Sequence, residues 1–531
     1  MRRAFAVVMV ALLLAGAGCV SAPAPAQPAA STAPDSTPDP AGGTTTAPVD
    51  PPTFNATPTD DPPPDPETDR LGWENGYWHN ETLAVDPDDG LDRAELEAVV
   101  GRAQARVEAI RHLEFEVSVH VRIIDREKWR NRTTGGSGAT VNQRLHQDVK
   151  LEALFFVGEQ ESAISQQEEN RATGVMGYYV PGSHNITIVS DGGDTLEMNE
   201  VTLAQELFHA VQEQHFEVST WNYDTEEERN AALGIIEGDG NYVDYLYEQT
   251  YAGSLVMPVQ SGGGGGGGGD RHIGLFALRY QPYSDGPSFV RDIRETSGWA
   301  GVNAVYENPP ESSSQTIHPA RYPTNLSTEV HIEDRSTAEW WVPDQGKGNV
   351  DYAEFGEAGL YAMLWYPSFA RTSETGSVTN VVIPYRHFFR TEGELDAYNY
   401  SHPVTTGWRG DKLLPYRREN SAATHETGYV WRIEWATATD AREFRRAYLE
   451  LLRHHGATAV DGSEARYRIR TGPFADAFSV TREGATVTIV NAPTIGDLDD
   501  VHNQPDSGRR FLRGDRALPR PIYPIRPSVP A

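Results

Sequence analysis

Thr202-Leu203-Ala204-Gln205-Glu206-Leu207-Phe208-His209-Ala210-Val211-Gln212-Glu213-Gln214-His215-Phe216 decides how the rest of this chain is read. Leu203, Leu207, Ala210 and Val211 fall at i, i+4, i+7 and i+8, so they make one apolar stripe of a helix, and Thr202 stands where a cap is expected. Gln205 and His209 are four residues apart and project from one face, with Glu206 beside them.

That layout resembles the zincin helix H-E-x-x-H, in which two His bind Zn²⁺ and the Glu is general base toward the metal-bound water; here the first His is Gln205. Past His209 comes Gly234-Ile235-Ile236-Glu237-Gly238-Asp239-Gly240, in a second helical stretch expected to end around Tyr247. In gluzincins the third ligand is a Glu of the following helix, which the resemblance assigns to Glu237. Val175 to Ser190 reads as two short strands joined by Pro181-Gly182, where a zincin has the edge strand of its cleft. With Pro309-Pro310-Glu311-Ser312-Ser313-Ser314-Gln315-Thr316-Ile317-His318-Pro319, these stretches resemble a family of secreted or lipid-anchored proteins of bacteria and haloarchaea, over roughly residues 72 to 495. Members with the intact motif look like metallopeptidases; in the haloarchaeal branch, which this chain resembles most, the first His is often Gln.

Neutral imidazole is a good Zn²⁺ ligand, whereas a side-chain amide oxygen suits harder cations. The resemblance therefore implies weak zinc binding through His209, Glu237 and Gln205, with Glu206 in the position of the base. The function expected is that of a zincin-like surface protein without peptidase activity, binding a peptide, protein or glycan; the alternative is an active cell-surface metallopeptidase with a modified metal site. A Glu-x-x-His pair also occurs in di-iron bundles, but those need the motif twice and no second copy is found. Read as structure alone, Glu206 and His209 are a hydrogen-bonded polar pair.

Asp and Glu number 76 against 45 Lys and Arg, a net charge of −31, and only Lys128, Lys150, Lys347 and Lys412 are Lys. An acidic, Lys-poor surface stays hydrated where salt screens charge within about 3 Å at 1 M, which reads as haloadaptation and makes nucleic acid an unsuitable partner. Arg2-Arg3-Ala4-Phe5, the apolar run Ala6 to Leu14 and Ala15-Gly16-Ala17-Gly18-Cys19 fit a signal peptide (1–18) with a lipobox, and the arginine pair resembles a twin-arginine signal. The run is too short to span a bilayer. Cys19 is the only Cys, which excludes intrachain disulfides and Cys-ligated metal and makes it the expected lipid attachment point, tethering the protein to the outer face of the membrane. Residues 19–70, rich in Pro, Ala, Thr and Asp, read as a disordered stalk. Six Asn-x-Ser/Thr sequons begin at Asn55, Asn80, Asn131, Asn185, Asn325 and Asn399.

Folded sequence is expected as α+β: a zincin-like domain over 71–330, then a smaller antiparallel α+β domain over 331–495, with an extended Pro/Arg-rich tail over 496–531. In the first, Leu96, Val99, Val100, Ala103, Val107 and Ile110 keep a helical period, Phe115 to Ile123 alternates as a strand, and 149–167 reads as a helix. The octaglycine 262–269 reads as a flexible loop, followed by helices near 287–294 and 298–306. His318 is read as a structural histidine rather than an oxyanion stabiliser. In the second, strands 411–416, 428–435, 474–481 and 485–491 with the helix 440–454 give the order β-β-α-β-β, and Gly407-Trp408-Arg409-Gly410-Asp411 reads as a turn.

Overall fold

In the computed structural model, the residues described are 54–87, 91–133, 138–172, 177–180, 185–190, 199–256, 271–337, 339–346, 350–389, 393, 395–418 and 426–503. Cys19, the signal segment, the Pro-Gly turn at 181–182, the octaglycine and the tail beyond 503 lie outside them. The protein is α+β, a helical region followed by an antiparallel sheet. No helix among the described residues is long and apolar enough to cross a membrane.

Residues 54–70, counted with the stalk in the sequence, lie against the folded body instead: the Phe54 ring meets His79 edge-on at 5.2 Å and Thr59 bridges to Glu81. A short hairpin, β1 (Trp73–Glu74) and β2 (Tyr77–Trp78), leads into α1 (Arg93–Arg111). Asp92 caps α1 by accepting from Ala94 N and Glu95 N, while the Glu95 side chain accepts from Asp92 N. The alternation from Phe115 yields a strand only from His120, as β3 (His120–Asp125). Phe115 and Val119 are buried before it and belong to the core under α1 and α5.

After α2 (Arg126–Thr133), the helix expected over 149–167 is two, α3 (Val141–Ala153) and α4 (Ala163–Ala172). The break falls at Phe155, whose φ of 57° ends a right-handed helix; its ring stacks on His455 and meets Phe474. Strands β4 (Gly177–Val180) and β5 (Asn185–Ser190) then pair antiparallel, and β5 pairs parallel with β3, so β4 is the sheet edge in the order β3-β5-β4.

Helix α5 (Glu200–Phe216) carries the opening stretch. Its cap is not Thr202 but Asn199, whose side chain accepts from Thr202 N at 2.8 Å; Glu200 and Val201 are already helical, which moves Thr202 to the third position. Leu203, Leu207, Ala210 and Val211 have no measurable exposure, as the stripe requires. Buried Glu200 ties the start of α5 to its surroundings, accepting from Arg106 at 2.7 Å, Arg102 at 3.0 Å, Tyr247 at 2.7 Å and Val256 N at 2.7 Å.

Helix α6 (Glu226–Tyr251) runs beyond the expected end near Tyr247 and packs against α7 (Ile273–Glu307). The two helices touch through backbone: a methyl on Gly238 would come within 2.6 Å of Gly286 C and O, so this crossing admits no side chain. The two helices expected near 287–294 and 298–306 are one run bent at Gly298, where φ is 65° and ψ −171°. The short α8 (Ser313–Ile317) follows.

Next come β6 (Trp340–Trp341), α9 (Gly356–Thr375), β7 (Trp408–Arg418), β8 (Thr427–Trp435), α10 (Ala438–His454), β9 (Thr458–Ala459), β10 (Arg466–Arg468), β11 (Ala477–Glu483), β12 (Thr486–Ala492) and α11 (Asp497–Val501). The sheet order is β6-β7-β8-β12-β11-β10-β9, every pairing antiparallel, with the expected β-β-α-β-β unit at its centre. Gly407–Asp411 is not a plain turn: Trp408 opens β7, and buried Asp411 accepts from Phe355 N, Gly356 N, Trp408 Nε1 and Trp431 Nε1, fixing the start of α9 to the sheet. The largest core draws on α3, the first turns of α7, α9, α10 and the sheet, so apolar packing passes across residue 330.

Candidate functional site

The neighbouring helices α5 and α6 place the sequence-predicted residues together. Glu206 and Glu237 have no measurable exposure, His209 is 4% exposed and Gln205 7%. His209 Nε2 lies 3.6 Å from Glu237 Oε2. Gly240 fits between the helices: a methyl there would lie 3.4 Å from His209 Cε1 and 3.7 Å from both Gln205 Cγ and Nε2. Gln205 and His209 thus both look at α6 at the level of Gly240, one turn beyond Glu237.

A chain of hydrogen bonds orients His209. Its Nδ1 is 2.7 Å from Gln212 Oε1, while Gln212 Nε2 donates to Ile236 O at 2.8 Å and to Tyr306 OH at 2.6 Å. Tyr306 OH donates to Asp239 Oδ2 at 2.8 Å, and Asp239 takes the Arg111 guanidinium at 3.0 Å. Both Gln212 amide protons are committed, so its oxygen faces the ring and the network assigns the His209 proton to Nδ1. The Nε2 lone pair then points toward Glu237, the tautomer a metal-ligating histidine needs.

The carboxylates are under electrostatic tension. Burial pushes Glu206 up to about 7, with His209 lowering it and Glu237 raising it. Burial also raises Glu237, while His209, the Tyr283 hydroxyl and Arg229 pull it down. Neither Glu206 oxygen has a hydrogen-bond partner among the described residues, so the sequence-level alternative of a bonded Glu206–His209 pair is not what the helix presents. Burial without compensation is costly for a carboxylate, and a proton or a cation would relieve it.

Two contributors were not singled out in the sequence. Gln212 lies three residues after His209, within one turn on the same face, and its spacing is its only signal. Asp244 lies seven residues after Glu237, two turns along α6; its Oδ1 is sealed and unpartnered, and burial raises its carboxyl well above the ordinary range while His209 lowers it and Glu206 and Glu237 raise it. His318 stands elsewhere: its Nε2 is 2.9 Å from Glu357 Oε1, and Arg321 shares that buried carboxylate at 3.0 Å.

The donor set fits a divalent cation in part. His209 Nε2 and Glu237 Oε2 converge at a spacing two ligands of one ion can adopt, and Glu206 leaves two buried oxygens unsatisfied, but the third position is an amide. Among the described residues, the one group of three His or acidic side chains whose ligand atoms all lie within 4.8 Å is elsewhere, Glu152, Glu159 and Asp476. There Glu152 and Asp476 hydrogen-bond to each other and Asn491 donates to Asp476 at 2.9 Å, so a shared proton satisfies the pair.

A family model described as a domain of unknown function (DUF8575) matches residues 342–502, the part of the chain that holds α9 and all strands of the seven-stranded sheet but β6. No curated protein and no solved structure matches the chain.

Proposed function

We propose that this protein is a zincin-like scaffold at the cell surface whose metal centre is weakened by Gln205, and that it acts as a binding protein rather than a peptidase. The observation that carries this reading is the juxtaposition of His209 Nε2 and Glu237 Oε2 at 3.6 Å, with Gln205 on the same face of α5. Three features support the zincin likeness: the edge strand β4, antiparallel to β5; the motif helix α5 following that sheet; and a glutamate of the next helix facing the motif histidine. The lipid anchor at Cys19 and the surface location belong to this proposal and rest on the sequence of residues 1–19.

A cation at this site would supply Lewis acidity toward a bound oxygen. His209, held by Gln212, presents its Nε2 lone pair, and Glu237 balances charge. Glu206, with its proton affinity near neutrality, can hold or release a proton beside them. That property favours the second reading, an active cell-surface metallopeptidase, because a base poised near pH 7 is what hydrolysis needs. Metal analysis of protein purified in high salt without chelator, with a peptide-cleavage assay on the same preparation, separates the two. Substoichiometric metal and no cleavage are expected; stoichiometric metal with cleavage selects the peptidase.

A further inference from the structure

A second concave site lies beside the first. A cavity of about 290 Å³, open to solvent, sits where α3, the start of α6 and the segment around Tyr352 meet, and its lining includes His146, Lys150, Tyr223, Glu226 and Arg229. Arg229 precedes Glu237 by two turns of α6 and lowers the proton affinity of that carboxylate, while Tyr223 is raised to about 12, chiefly by burial, with Arg229 opposing the rise and Glu237 adding to it. The cavity and the candidate centre thus share α6, the cavity at its start and Glu237 two turns beyond Arg229.

The charges of this lining are unequal in how they are used. Glu226 takes Lys150 at 3.1 Å and Arg279 at 3.4 Å, and these two cations, with Arg229 acting through space without a contact, hold it ionised. Asp224 also lines the cavity but is exposed to solvent. Arg229 is left with no ion pair or side-chain hydrogen bond among the described residues, in a chain whose net charge is −31. His146, only 6% exposed, has no hydrogen-bond partner on either ring nitrogen; the Tyr352 backbone lies near it but outside hydrogen-bonding geometry. A buried imidazole without a partner is an unmet cost in a folded protein, and an unpaired guanidinium facing a cavity is a ready fork for a planar anion.

We propose that this cavity binds a small carboxylate ligand, with Arg229 taking the carboxylate, and with His146, Tyr223 and the free protons of Lys150 completing its hydrogen bonds. A carboxylate suits the planar guanidinium, and a neutral His146 donates one N–H without adding charge. This inference goes beyond the metal-centre reading and does not require a metal.

Calorimetric titration of the purified protein with succinate and with its neutral counterpart succinamide, both at one fixed KCl concentration, tests it. Succinate should bind and raise the melting temperature while succinamide does neither. Arg229→Gln should weaken succinate binding about tenfold or more, the loss of one charge-assisted pair, and Arg93→Gln, on an exposed face of α1, should leave it unchanged. Equal behaviour of succinate and succinamide, or full succinate affinity in Arg229→Gln, overturns the proposal. Should Arg229→Gln fail to fold by circular dichroism, His146→Gln gives the same reading: weaker binding supports the site and undiminished binding overturns it.

Discussion

His209 Nε2 and Glu237 Oε2 face each other at 3.6 Å across α5 and α6, and the Gln212 bond to Nδ1 turns the ring's lone pair into that gap. A lone pair and a carboxylate oxygen so placed repel unless a proton or a cation stands between them. Gln205→His would add a second imidazole to the same face at the level of Gly240, where the space beside α6 is already set by glycine. Zinc affinity measured by competition with a chromophoric chelator should rise about a hundredfold or more, the difference expected between an amide and an imidazole ligand. An unchanged affinity would mean that Glu237 and His209 do not act as a ligand pair.

Glu206 should make the metal-free protein sensitive to pH. Burial raises its carboxyl from an ordinary 4.5 to about 7 in the fold, so the folded state binds the proton more tightly than the unfolded state. That contribution is fully present below about pH 4.5 and is lost as pH rises through about 7, a span of roughly 3 kcal/mol at about 1.4 kcal/mol per unit. Glu206→Gln removes the titration. In chelator, melting curves of the variant and the wild type should agree near pH 4.5, and the variant should be the more stable at pH 8. A difference between the two that does not change with pH would show that Glu206 is not buried as an acid.

Glu200 offers a test of what holds the motif helix in place. It is wholly buried and shared by Arg102 and Arg106, with Tyr247 and Val256 N completing its bonds. Glu200→Gln leaves two guanidiniums without their counter-charge, and removing one partner from a buried ionic cluster typically costs about 3–5 kcal/mol. Chemical denaturation should show a loss of that order. A loss below about 1 kcal/mol would place the cluster among solvent-screened pairs.

The sequence shows the motif helix and which of its faces is apolar because an apolar stripe has a period that survives translation into structure: Leu203, Leu207, Ala210 and Val211 are buried as their spacing requires. Glu237 could be placed only through resemblance, since nothing in its local spacing says that α6 packs beside α5. The signal for that packing is glycine, Gly238 against the backbone of α7 and Gly240 beside His209, and glycine reads equally well as a turn. Thr202 passes for the cap because Asn199, three residues earlier, has the same capping chemistry and the apolar stripe is counted from Leu203, while the first helical residue, Glu200, is charged. The pairing of Arg102 and Arg106 with Glu200 was illegible, because charged residues at helical spacing look like a solvated face until a distant partner is found.

The proposed membrane tether rests on Cys19. Residues read as an export signal, a lipobox and a Pro-rich segment are consecutive in the sequence, and no described helix is long and apolar enough to cross a membrane. Cys19→Ser should move the protein from the membrane fraction to the medium or the soluble fraction, with a change in electrophoretic mobility. A variant that stays membrane-bound with unaltered mobility would refute lipidation at this position.

Salt should be required for the fold itself. With 76 acidic residues against 45 basic ones, the surface repels itself once screening is withdrawn, and the Debye length grows from about 3 Å at 1 M to more than 10 Å below 0.1 M. The interior adds to the strain, since Glu206, Glu237 and Asp244 converge around a single imidazole and burial raises the proton affinity of all three. Dialysis from molar KCl to about 0.05 M should therefore lower the melting temperature and in the end unfold the chain. A divalent cation able to sit among those carboxylates should offset part of the loss at concentrations too low to screen the surface. Melting curves over a KCl series, with and without micromolar Zn²⁺, separate the two effects. Stability independent of KCl would reject haloadaptation as the reason for the acidity, and a KCl series that Zn²⁺ leaves unchanged would assign the strain to the surface alone.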